Sequence, residues 1–404
     1  YPMLTTPPLS LYVHLPWCVR KCPYCDFNSH EGRGALPFDA YVDALLADLD
    51  FDLPLVWGRT IHSVFFGGGT PSLFPPEFID RFLQGASSRL RFAPACEITL
   101  ETNPGTAEHG RFELYRAAGV NRLSFGIQSF DDECLKRLGR IHDSGEAESA
   151  VKLAQDAGFD NFNLDLMYAL PGQTLAMAQR DLERAFALQP THVSHYQLTL
   201  EPNTVFAARP PRDIPDDDAS WDIQEHCQAM LAQAGYAQYE VSAYARPGRQ
   251  CLHNLNYWQY GDYLGIGAGA HGKITLGAEQ DILRRWKIKH PTRYLAAAGH
   301  AEAIGGDDRI APERRPFEYM LNTLRLVDGF SLDAFEARTG LPRASIGDAL
   351  GQAQAQGWLS IEGDRVRPTE LGRRFTNDVI ELFLDGNGAN PAALPHEVAG
   401  YTVD

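Results

Sequence analysis

Apolar and polar positions alternate in six short runs across the first half of the chain. Leu9–Leu15, Ile61–Phe66, Glu97–Thr102, Arg122–Ile127, Asn161–Met167 and His192–Leu198 each read as a strand. The segments between them carry helical spacing instead. Phe38 to Leu53 places Tyr41, Val42, Leu45, Leu46 and Leu49 on one face, and a helix from about Pro76 does the same with Phe78, Ile79, Phe82 and Leu83. Further helices end near Gly119 and Gly158, and another covers Leu175 to Leu188. Strands alternating with helices predict a parallel sheet with crossover helices. Six strands suit an open, partial barrel better than a closed eight-fold one. The fold class is therefore α/β, a partial (β/α)6 barrel over residues 1–200.

The regular alternation stops at the proline- and acid-rich stretch from Pro202 to Asp218. A helix from about Ser220 to Ala234, a strand from Tyr236 to Tyr244 and an aromatic, glycine-rich tract from Cys251 to Gly272 extend the barrel over 201–313. From Arg314 onward, two helices around Gly340, a hairpin turning at Glu362-Gly-Asp-Arg365 and a helix from Glu370 to Leu384 predict a small winged-helix-like α+β domain over 314–404. That segment holds nine Lys and Arg against thirteen Asp and Glu. A DNA reader normally carries a basic face, so the expectation is a packing or docking module.

Composition narrows the function classes. The chain has 404 residues, 44% hydrophobic, with a formal net charge of -16. Such a balance argues against general nucleic-acid binding and against an anionic membrane surface. No apolar run is long enough to span a bilayer, though peripheral membrane contact stays open. The opening Tyr1-Pro-Met-Leu does not read as a signal peptide. Seven cysteines, four of them scattered at 96, 134, 227 and 251, fit a reducing, cytoplasmic setting, with the scattered ones as small buried hydrophobes.

The other three cysteines carry the chemistry. Cys18, Cys22 and Cys25 fall within eight residues, just after the first strand. A closed zinc or iron–sulfur site uses four protein ligands, whereas a [4Fe–4S] cluster on three thiolates keeps one iron open for a substrate or cofactor. Zinc with His30 as fourth ligand is the alternative. Gly67-Gly-Gly-Thr70 follows the second strand, where glycines let backbone approach a ligand. Glu101 ends the third strand, and Asp165 sits within an apolar one, where an acid needs a partner or a ligand.

The spacing Cys-x3-Cys-x2-Cys, with Tyr24 before its last cysteine, resembles the signature of the radical S-adenosylmethionine (SAM) superfamily. In that superfamily the open iron chelates SAM and an electron from the cluster cleaves it. Tyr12-Val-His-Leu-Pro-Trp-Cys18, Gly67 to Ser72, Gly126-Ile-Gln-Ser-Phe130 and Asp165 to Gly172 together resemble the oxygen-independent coproporphyrinogen III oxidase family over essentially the whole chain. The resemblance implies that Tyr12 and Tyr24 flank SAM, that Gly68, Gly69 and Thr70 bind its methionine end, and that Glu101, Gln128, Arg140 and Asp165 contact SAM molecules. Thr199 and the Ala270-His271 backbone fall at further matching positions.

Two departures separate this chain from the authentic oxidases. Phe27 stands where they carry a fourth cysteine, and seventeen residues precede Cys18, against a longer extension there. Both match the haem-chaperone branch of the family, which also carries a His-Asn-x-x-Tyr-Trp motif, here His253 to Trp258. An imidazole can ligate haem iron, with Tyr257, Trp258 and Tyr260 packing on a porphyrin face and Cys251 as a second candidate ligand. A structural aromatic cluster with a hydrogen-bonded histidine is the competing reading of the same residues. The expectation is a cytoplasmic carrier that binds a [4Fe–4S] cluster, SAM and haem and delivers haem to acceptor proteins, without oxidase activity. The alternatives are the oxidase itself and a zinc-stabilised regulator.

Overall fold

The computed structural model describes residues 1–105 and 111–384, together with the backbone of 397–398 and 401–402. The last part of the predicted 314–404 domain thus lies largely outside the described residues. All six predicted strands form: β1 (Leu9–Leu15), β2 (Thr60–Gly68), β3 (Arg91–Thr102), β4 (Arg122–Gln128), β5 (Phe162–Tyr168) and β6 (His192–Gln197). Each pairs in parallel with the next, in sequence order. The crossover helices Phe38–Asp52, Pro76–Ser87, Phe112–Ala118, Ser144–Asp156 and Leu175–Ala187 cover the outer face. One large apolar core fills the space between sheet and helices. Leu11, Val13, Val64, Phe66, Leu100, Leu123, Leu164 and Val193 enter it from alternate strand positions.

The sheet is wider than the six-strand pattern suggests. It has twelve strands, because the segment after 236 adds to both edges. Asp262–Ile266 lies parallel to β1 on its free side, and His271–Leu276, Asp281–Lys287 and Ile304–Arg309 continue from it in antiparallel fashion. At the other edge the single strand expected over 236–244 is two short ones, Ala237–Gln238 and Ala243–Ala245, paired with each other. Between them Glu240 takes hydrogen bonds from the Ser242 backbone N–H and hydroxyl, which folds the chain back on itself.

The seven-residue helix Leu252–Trp258 closes one end of the barrel. Its first N–H groups, at Leu252 and His253, donate to the Glu97 carboxylate at 3.0 and 3.2 Å, and the Cys251 thiol donates to the same group. Asn256 donates to the Pro8 carbonyl, the Ser10 hydroxyl and the Asp262 carbonyl, tying the helix to β1 and its new neighbour. A carboxylate at the amino end of a helix satisfies donors that have no partner within the helix.

A second core holds the C-terminal segment together. Helices Leu332–Thr339 and Gly347–Ala355 precede the hairpin Leu359–Glu362/Arg365–Pro368, whose second strand also pairs with Phe330–Ser331. The helix expected over 370–384 is instead two, Glu370–Arg374 and Thr376–Glu381. They break at Phe375, whose ring stacks on Trp358. A buried pair, Arg284 to Glu318 at 2.7 Å, joins this segment to the sheet.

Candidate functional site

The carboxyl ends of β1 to β6 surround one cavity of about 430 Å³, within the range of small-molecule and cofactor sites. Cys18, Cys22 and Cys25 line it, with Tyr24, Gly68, Gly69, Thr70, Glu101, Gln128, Arg140, Asp165 and Thr199. Twelve of the fifteen residues expected at the site are therefore brought together. Tyr12, His253 and His271 are not among its walls.

The cysteine loop leaves and re-enters through a short parallel pair, Trp17–Cys18 with His30–Glu31. Asn28 anchors it, donating to the carbonyls of Ala268 and Lys289 at 3.1 and 2.9 Å. From inside, His14 Nε2 bonds the Asn28 carbonyl oxygen at 2.8 Å. His30 is turned to Asn28 Oδ1 and to the ring of His290 rather than to the thiols. Burial pushes the Cys18 thiol up to about 11, with the neighbouring Cys25 adding to it, and burial pushes Cys25 up as well. Lys21 favours the Cys25 thiolate but burial outweighs it, so a metal centre is what would favour both thiolates. A four-iron cluster asks for one thiolate per iron, and three thiols on one cavity wall fit that demand.

The glycine stretch is shaped by close contact. Gly68 has φ of 127°, and a Cβ there would sit 2.5 Å from the Leu15 carbonyl oxygen. At Gly69 it would sit 2.6 Å from that of Trp17. The Gly69 and Thr70 N–H groups bond those same carbonyls, so this turn and the cysteine loop form one packed unit.

Two buried acids face the cavity, and neither has an ion pair among the described residues. Burial, and then the nearby Asp165, push the Glu101 carboxyl up to about 8, against a single hydrogen bond from the Gly68 N–H. Burial pushes Asp165 up to about 6, opposed by hydrogen bonds from Asn163 and Ser194 and by the nearby Arg122 and Arg140. Arg140 spans the site. Its guanidinium donates to the Asn103 side chain and the Gly126 carbonyl, and reaches Cys22 Sγ at 3.6 Å and the Tyr24 hydroxyl at 3.5 Å. Gln128 adopts φ of 69° at an irregularity in the β4–β5 pairing, and its Oε1 accepts from Tyr196. A non-glycine residue held there is backbone strain at the ligand-facing end of a strand. One carboxyl kept neutral by burial and a second beside it, with three thiols and a guanidinium, suit a ligand carrying both positive and negative groups.

The three remaining residues lie elsewhere. Tyr12 stacks on Phe65 and bonds His14 Nδ1 at 2.9 Å, beneath the cavity. His271 stacks on Trp286 of the neighbouring strand, and Ala270 packs with Tyr12 and Trp258. His253 is 2% exposed, its Nδ1 bonded to Ser63 Oγ at 2.9 Å and its ring stacked on Phe65. Cys251 and Tyr260 are fully buried, and Tyr260 packs against Tyr319. Of the aromatic motif only Trp258 reaches the cavity wall. Several wall residues carry no sequence signal of a site. His195 and Tyr196 look like ordinary strand positions, and Glu240 and Arg325 arrive from distant segments.

Comparison with known proteins fits this geometry. The radical SAM superfamily model matches residues 12–185 and the HemN C-terminal domain model residues 310–375. A protein of Escherichia coli K12 described as heme chaperone HemW is 51% identical over 387 residues, covering 95% of this chain and 100% of the relative. A Haemophilus influenzae protein of the same description is 50% identical, covering 94% and 98%. The solved structure of the coproporphyrinogen III oxidase HemN from Escherichia coli, described as a radical SAM enzyme, superposes with a TM-score of 0.78 at 25% identity, covering 94% of this chain and 90% of that one.

Proposed function

The chain belongs to the HemW family of radical SAM proteins, and from that membership we propose that it is a haem carrier. It would hold a [4Fe–4S] cluster and SAM in the barrel cavity and pass haem to acceptor proteins. The observation that supports the cofactor half is the gathering of three thiols, a glycine turn and two buried acids around one cavity. The cluster, when bound, supplies an open iron to chelate SAM and an electron to pass to it.

This chain's own residues do the rest. Cys18, Cys22 and Cys25 would ligate one iron each. The packed turn at Gly68 to Thr70 offers backbone groups to the methionine end. Glu101 becomes charged when a cationic ligand enters, because that ligand offsets the burial and the repulsion from Asp165 that keep it neutral, and Asp165 offers the same ligand a second carboxylate. Arg140, held by Asn103 and Gly126, fixes the second thiol and Tyr24 in place. Anaerobic reconstitution tests this reading. Iron and sulfide near four per chain, a paramagnetic signal lost on Cys22→Ala, and calorimetric SAM binding only to the reconstituted chain are expected. Stoichiometric zinc without a cluster signal would sink it.

The whole-chain likeness to HemN favours a second reading, the oxidase. Phe27, on the cavity wall where that enzyme family carries its extra cysteine, weighs against it. Anaerobic incubation with SAM, a reductant and coproporphyrinogen III should give no protoporphyrinogen, while haem addition should give a shifted Soret band.

A further inference from the structure

Ser29 follows the last cysteine of the loop, lines the cavity and is 6% exposed. Its hydroxyl meets Cys25 Sγ at 3.7 Å. A second hydrogen bond joins it to Cys18, so one side chain serves two of the three thiols. Serine hydroxyls in loops commonly bond the backbone of their own turn. This one is directed at sulfur instead.

The chain on either side of it is fixed. Asn28 is tied to the carbonyls of Ala268 and Lys289, and the His30 N–H donates to the Pro16 carbonyl at 2.7 Å. The Ser29 N–H itself donates to the Phe27 carbonyl, also at 2.7 Å. Ser29 is thus in place before any ligand arrives, and its hydroxyl has only to rotate. In the unloaded chain either the oxygen or the sulfur can be the donor. A sulfur that ligates iron has given up its proton, so it only accepts and the hydroxyl must donate. A hydroxyl carries one proton, so Cys25 and Cys18 share it. Cys22 has a separate donor, the Arg140 guanidinium at 3.6 Å. Each of the three sulfurs therefore has a side-chain donor beside it.

We propose that Ser29 raises the reduction potential of the cluster by donating a hydrogen bond to the ligating sulfurs of Cys25 and Cys18. The assignment rests on the cluster reading above. An added electron puts more negative charge on the sulfurs, so a donor to them stabilises the reduced state more than the oxidised one. Burial strengthens the bond and keeps water from replacing it. Ser29 acts through the thiolates and ligates nothing itself, so its loss should change the electron affinity of the cluster without removing a ligand.

Redox titration of the reconstituted chain, followed by paramagnetic resonance, tests the assignment, with thermal melts to confirm that each variant folds. Ser29→Ala should still take up iron and sulfide as the wild type does. It should disfavour the reduced cluster about tenfold, which for a one-electron couple is a shift of about 59 mV to lower potential. Ser29→Thr keeps the hydroxyl and should stay close to the wild-type potential. The assignment is overturned if Ser29→Ala keeps that potential, or if Ser29→Thr shifts as far as Ser29→Ala. It is overturned as well if Ser29→Ala folds but takes up no cluster, since Ser29 would then serve assembly. A wild type that takes up no cluster overturns the cluster reading itself, which is a distinguishable result.

Discussion

Glu97 and Glu101 stand on the same face of β3, about 13 Å apart along the strand, and live opposite lives. Glu97 takes two backbone N–H groups and a thiol, and so fastens the helix that closes one end of the barrel. Glu101 takes one N–H, faces another acid, and looks into the cavity. At one end of the interior the acid's hydrogen bonds are met within the chain. The other is left incomplete, in the state expected of a surface whose remaining partners belong to a ligand. Polarity inside this barrel is therefore not a sign of function by itself. What distinguishes the two ends is whether the polar groups are already matched.

The sharpest way to break that contrast is to remove each acid in turn. Glu97→Ala should lower unfolding free energy by about 3 kcal/mol, because it strands buried donors, as read by urea titration. Glu101→Gln should leave stability unchanged or raise it. Equal losses from both would erase the distinction. SAM affinity should show the reverse order. Glu101→Gln and Asp165→Asn should each weaken it by about 2 kcal/mol, the scale of a charge-assisted hydrogen bond, in calorimetry on the reconstituted chain.

Acidity sharpens the contrast further. Glu101 titrates at about 8 in the folded chain against an ordinary 4.5. The folded state holds the proton more tightly, so this stabilising contribution is present below about pH 4.5 and is lost as pH rises towards 8. Ligand-free wild type should lose more than about 1 kcal/mol across that window, Glu101→Gln should lose less, and SAM affinity should rise over the same range. Melts at stepped pH would expose a flat profile, which would contradict the assignment. The smallest effect is expected at His253. Replacing it with Gln should cost about 1 kcal/mol for the Ser63 bond and leave SAM binding alone.

Much of this was legible in the chain itself, and the reasons are specific. Alternation in Leu9–Leu15 and its five successors is a local pattern, so the parallel core followed directly. The thiols and the glycine turn are contiguous motifs, and their meeting needs only adjacent strand ends. Pairings between distant segments have no local mark. Asp262–Ile266 beside β1, and Glu240 and Arg325 on the cavity wall, are of that kind. The His253 motif shows the opposite difficulty. Its aromatic residues and histidine would look alike in a haem pocket and in a packed plug, and only the Ser63 and Glu97 contacts tell which surroundings they have.

The anchoring of the cysteine loop through Asn28 bears on how the protein is made. The two carbonyls that hold it lie 240 and 261 residues further along the chain. At about 5–20 residues per second of synthesis, the thiols leave the ribosome some tens of seconds before their anchors exist. Throughout that interval the loop has only its local ties, the Trp17–Cys18 pairing with His30–Glu31 and the His14 bond to the Asn28 carbonyl. On the proposed reading, iron and sulfide would be loaded after translation, onto a nearly finished molecule rather than an emerging peptide.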